Sequence, residues 1–89
     1  MVINVVKKPI EVQAVQWDGT RDGFKEIQEF AGPVVKYMDL GFSHVIAVHA
    51  LEGTTVLRKG DFLVKGVKDE FYPVNKEIFW ETYDYSEQE

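Results

Sequence analysis

The apolar positions of this chain run first at strand spacing, then at helical spacing, then return to strands and close on a short helical turn. Residues 2 to 17, "VINVVKKPIEVQAVQW", are rich in β-branched and apolar side chains. Lys7-Lys8-Pro9 interrupts the run, and because proline donates no ladder hydrogen bond it suits an edge or a strand start. One main strand is expected over about residues 10 to 17. "DGTRDG" then supplies turn and cap residues, and Phe24, Ile27, Phe30 and Ala31 recur at helical spacing before Gly32-Pro33. The pattern predicts a short amphipathic helix capped by Thr20 or Asp22.

From residue 34 the rhythm is that of strands. "VVKYMDL" and "HVIAVHAL" flank a turn at Gly41, and "EGTTVLRKGDFLVKG" follows with glycines at 53, 60 and 66. Leu51-Glu52-Gly53 turns the chain, Thr54 to Arg58 forms a strand, Lys59-Gly60-Asp61 a tight turn, and Phe62 to Lys65 the next strand. Glu70 to Val74 completes the sheet, with Pro73 placing it at an edge or strand end. Asn75 is a good N-cap for "KEIFWETY", with Ile78 and Phe79 facing inward. The expected fold is α+β: one small domain over residues 1–83, a twisted antiparallel meander with one amphipathic helix and a C-terminal helical turn. Residues 84–89 form a polar, acidic tail.

Composition narrows the class. Eighty-nine residues make one domain, and such a chain buries roughly 60 to 65% of its unfolded surface. Hydrophobic residues at 45% and charged residues at 28% are globular averages, so the chain should fold. With no cysteine there is no disulfide framework, thiolate metal site or cysteine nucleophile, and a cytoplasmic setting is expected. The lysines of "MVINVVKKPI" follow the apolar run, the wrong order for a secretory signal. No apolar stretch approaches the roughly 20 residues of a membrane helix, so no membrane partner is expected.

Net charge is −5, and it is unevenly spread. Residues 58 to 76 carry five bases against three acids, whereas residues 77 to 89 carry five acids and no base. The acidic whole argues against duplex-DNA binding, which depends on neutralising phosphates. The local excess of lysine could still hold one small anion.

Chemistry is sparse. His44 and His49 lie five apart and in one strand point to opposite faces, so no metal site is expected. Ser43 and Ser86 lack the strained elbow of a hydrolase nucleophile. Gly60 and Gly66 are separated by a strand-like run and do not open a helix, so no phosphate-cradling loop or cofactor is expected. No residue is assigned a catalytic role, and the protein is read as non-enzymatic.

The aromatics divide into two kinds. Phe62, Phe71 and Phe79 should fill the core. Trp17, Tyr72, Trp80 and Tyr83 combine an apolar body with a polar tip, the combination used at binding surfaces. A ring-bearing anion such as a nucleotide could stack on such a ring while its phosphate meets Lys65 and Lys68. The candidate binding residues are therefore Lys65, Lys68, Tyr72, Trp80 and Tyr83.

The run "LEGTTVLRKGDFLVKGVKDEFYPVNKEIFWETY", residues 51 to 83, resembles a C-terminal signature of small proteins encoded by bacteriophages and prophages. The similar positions are Gly60-Asp61, Lys65-Gly66, Glu70, Tyr72-Pro73, Phe79 and Thr82-Tyr83, and the opening "KKPIEVQAVQWDG" looks like the start of the same family. Asp69, where the family more often has glycine, and Trp80 beside Phe79 depart from the pattern. The family is one of unknown function, so the resemblance implies a genomic origin and carries over no catalytic residue.

A phage origin points to an accessory protein in the host cytoplasm. It would bind a host factor or a small anionic, nucleotide-like ligand, as in counter-defence. Alternatives are a virion or assembly component that self-associates through a sheet edge as a homo-oligomer, and an unrecognised enzyme. A further one is a DNA mimic built on Glu77, Glu81, Asp84, Glu87 and Glu89.

Overall fold

A computed structural model describes residues 1–4 and 11–83. The expectations for Lys7-Lys8-Pro9 and for the tail at 84–89 lie outside the described residues. The elements are β1 (Gln13–Gln16), α1 (Arg21–Ala31), a 3-10 turn (Gly32–Val34), β2 (Val35–Asp39), β3 (His44–Ala50), β4 (Gly53–Leu57), β5 (Phe62–Lys65), β6 (Phe71–Val74) and α2 (Lys76–Thr82). The fold is α+β and antiparallel throughout. Its strands, however, divide into two three-stranded sheets, ordered β1-β5-β6 and β2-β3-β4, where the sequence reading had one meander.

The division follows from β1, which skips the intervening strands to pair with β5, Val15 opposite Leu63. Trp17 fixes this junction. Its backbone N–H donates to Asp61 O at 3.0 Å, its carbonyl accepts from Gly60 N at 2.8 Å, and its indole Nε1 donates to Thr20 O at 2.8 Å. A fully buried tryptophan thereby ties β1, the β4–β5 turn and the start of α1 together. Trp17, grouped by its polar tip with the binding-surface aromatics, is instead a core residue whose indole N–H is satisfied internally.

Thr20, not Asp22, caps α1. Its hydroxyl accepts from Gly23 N at 2.9 Å and donates to Asp18 Oδ1 at 2.6 Å, while its own N–H donates to the same carboxylate oxygen at 2.9 Å. Gly32 ends the helix at φ +71, a conformation that favours glycine.

Sheet β1-β5-β6 is apolar on both faces. Leu63 faces a cluster with Trp17, Ile27, Val35, Ile46, Val48 and Leu57, against which Phe71 and Phe30 pack. Phe62 and Val64 face the other way, onto Phe79, Tyr72 and Tyr83. This accounts for the unbroken apolar run in β5, since a strand covered on both sides loses period-two alternation. Burying one such side chain contributes roughly 1.5 to 3 kcal/mol. The layers are therefore sheet β2-β3-β4 with α1, then sheet β1-β5-β6, then α2.

Asn75 starts α2 as expected, its side-chain oxygen accepting from Glu77 N at 2.8 Å and Ile78 N at 3.5 Å. That cap sets the helical phase with Phe79 inward. Ile78, about 100° around the helix, is consequently 56% exposed and does not face the core as the sequence pattern implied. No helix among the described residues is long and apolar enough to cross a membrane.

Candidate functional site

The helix phase that buries Phe79 lifts Trp80 onto the rim of α2, where it remains 44% exposed. Below it, Phe62 and Phe79 stack with centroids 3.8 Å apart and planes 5° apart. Trp80 stands edge-on to both rings, at 5.4 Å from Phe62 and 4.9 Å from Phe79. Tyr83 leans on Phe79 at 5.0 Å, and its hydroxyl meets that of Tyr72 at 3.4 Å. Trp80, Tyr72 and Tyr83 are therefore brought to one aromatic face on one side of sheet β1-β5-β6.

The two predicted lysines are not part of that face. Lys65 pairs across from Phe71 and follows Leu63 by two residues, so it belongs to the opposite side of the sheet from Tyr72. Its ammonium lies 3.6 Å from Asp69. Lys68 sits in the β5–β6 turn, where its backbone N–H donates to Glu70 Oε2 at 2.9 Å. The basic residue on the Trp80 side is Lys76, one helical turn earlier, whose side chain reaches over the backbone of Gly60. Lys76 is one of the five bases counted over residues 58 to 76 but was not among the candidate binding residues; its i, i+4 relation to Trp80 was the available signal.

The Tyr72 hydroxyl is pushed up to about 12, first by its hydrogen bond with Tyr83 and then by burial, with the negative charge of Glu70 adding to both. It stays protonated at neutral pH. The Asp18 carboxyl is held below its usual range, chiefly by the Thr20 hydroxyl and Thr20 N–H. Both shifts arise from local structural contacts.

A second cluster was missed by sequence reading. The Arg21 guanidinium lies 4.6 Å over the Tyr37 ring, Tyr37 stacks with His44 at 5.5 Å, and the Tyr37 hydroxyl shares a 2.7 Å hydrogen bond with His44 Nδ1. Asp39 lies 3.7 Å from the same nitrogen. The register of β2 on β3, Asp39 opposite His44 and Tyr37 opposite Ile46, makes the assembly. The turn between the two strands sets that register, closed by Leu40 N–H to Ser43 O and Gly41 N–H to Asp39 Oδ1, each at 2.8 Å. His49 lies on the other face and bonds Thr54, as the odd spacing of the two histidines requires.

An open groove of about 660 Å3 runs between β1 and α1, lined by Ala14, Val15, Gln16, Glu26, Glu29 and Phe30. Its lining does not include the aromatic face. Compared with protein-family models, with curated proteins and with solved structures, the chain gives no match in any of the three.

Proposed function

We propose that this protein is a non-enzymatic binding module whose contact surface is the aromatic face of α2, and that its partner is a protein of a phage's host cell. The observation that carries the reading is Trp80. It is exposed yet braced edge-on against two stacked rings, so much of the ordering cost of binding is already met in the free protein. Tryptophan in such a setting is the residue type most enriched at interface hot spots. Ile78, exposed two residues earlier, extends the apolar area.

A protein partner is favoured over a small anion because Lys65 and Lys68, the two lysines expected to meet its phosphate, are not part of the aromatic face, although Lys76 lies on the Trp80 side. A nucleotide stacked on Tyr72 would find Lys65 on the far side of the sheet and engaged by Asp69. The resemblance of residues 51 to 83 to phage-encoded proteins supports a host-cell, cytoplasmic setting.

The test is to place a photoreactive side chain at Ile78, cross-link in host cells, identify the product, and measure its affinity for the wild-type protein and for Trp80→Ala. A specific partner whose affinity falls roughly 30-fold in the variant supports the reading. Equal affinity of the two proteins would reject it. A cross-link to a second copy of this chain would instead favour the self-associating assembly component.

A further inference from the structure

The groove between β1 and α1 has a backbone wall as well as side-chain walls. Trp17 N–H donates inward to Asp61 O on the β5 side. By the alternation of an antiparallel ladder, the N–H and C=O groups of Val15 and Gln13 also point to β5. Those of Ala14 and Gln16 therefore point the other way, toward the groove they line. Sheet order begins at β1, so among the described residues this edge has no strand beside it.

The opposite wall is α1, and its chemistry is specific. Phe30 supplies an apolar floor beside Val15, while Glu26 and Glu29, three residues apart on one helix face, supply two carboxylates. Among the described residues neither carboxylate has an ion-pair partner. The helix thus presents negative charge along an exposed strand edge.

We infer that this groove takes an extended basic peptide, which adds to sheet β1-β5-β6 as a fourth strand alongside β1. The backbone hydrogen bonds would come from Ala14 and Gln16, as in strand addition generally. Because side chains alternate, the peptide residue opposite Val15 shares its face and packs against Phe30. The residues two before and two after it share that face too, and their side chains reach Glu26 and Glu29. The recognised pattern is therefore basic, any, apolar, any, basic. This surface is separate from Trp80, and the inference stands or falls independently of the reading given to α2.

The probe is the acetylated, amidated peptide TKTVTKT, titrated into the 15N-labelled full chain and followed by amide shifts. Saturable shifts at Ala14, Gln16 and Phe30 are expected, with weaker binding in about 1 M salt, where charges are screened beyond roughly 3 Å. The variant E26K/E29K should bind at least about tenfold more weakly. Glu26 and Glu29 are both exposed on α1, so the fold should persist. The milder E26Q/E29Q, checked by the same spectrum, covers a folding defect in the first. The peptide TETVTET should not bind, and Trp80→Ala should bind TKTVTKT as the wild type does. Absence of saturable shifts at millimolar peptide, unchanged affinity in both double variants, or shifts confined to α2 would each overturn the assignment.

Discussion

Phe62 of β5 and Phe79 of α2 lie ring on ring, 3.8 Å between centroids and 5° between planes. A helix of seven residues has little stability of its own, so this stack, with Asn75 at the N-terminus, is what holds α2 on the sheet. Phe79→Ala should therefore destabilise the protein by about 3 to 5 kcal/mol, the usual cost of removing a buried phenylalanine. Trp80→Ala, at an exposed position, should cost much less. Urea denaturation of both variants checks the ordering; a Trp80→Ala loss as large as that of Phe79→Ala would mean that Trp80 is structural rather than a contact residue.

The hydroxyls of Tyr72 and Tyr83 set a pH dependence at the alkaline end. Tyr72 titrates near 12 in the fold against an ordinary 10.0. Between those values the unfolded chain has lost its proton and the folded chain has kept it, so stability falls as pH rises through this window. The contribution is fully present below pH 10. Tyr83→Phe removes the first cause of the shift, and Tyr72 should then titrate closer to 10, as read from the 13Cζ resonance of labelled tyrosine.

Asp18 acts at the acid end with the opposite sign. Its carboxyl is held below the usual 3.8 by Thr20, so its contribution is present above that value and is lost as pH falls through the lowered one. Asp18→Asn should flatten the dependence of stability on pH below about 4. Thr20→Ala removes the cap of α1 as well and should cost about 1 kcal/mol at neutral pH. Chemical denaturation across a pH series distinguishes the two variants.

Asp69 holds a left-handed conformation, φ 61, in the β5–β6 turn. It is a residue type that tolerates this region, and Asp69→Gly should be neutral or stabilising by up to about 1 kcal/mol, relief of strain being offset by glycine's unfolded-state entropy. Asp69→Ala should destabilise by about 1 kcal/mol, because alanine meets the steric cost without the local hydrogen bonding open to aspartate. Thermal melts of the two variants should move apart.

Much of this fold is written in local chemistry. Thr20 and Asn75 mark helix starts through their own side-chain oxygens, Gly32 and Gly41 mark stops and turns through positive φ, and Asn75 fixes the phase that buries Phe79. The aromatic side of the candidate site was legible for the same reason, since Tyr72, Trp80 and Tyr83 stand close in sequence around one cap. What the sequence by itself determined was thus the elements, their order and the α+β class, because each depends on interactions within a few residues. Only the tertiary structure decided that β1 pairs with β5 and that Lys65 leaves the aromatic face. Those outcomes rest on strand register and on contacts such as Gln16 with Gly60, 44 residues apart, and period-two alternation is the same for every partner a strand could choose.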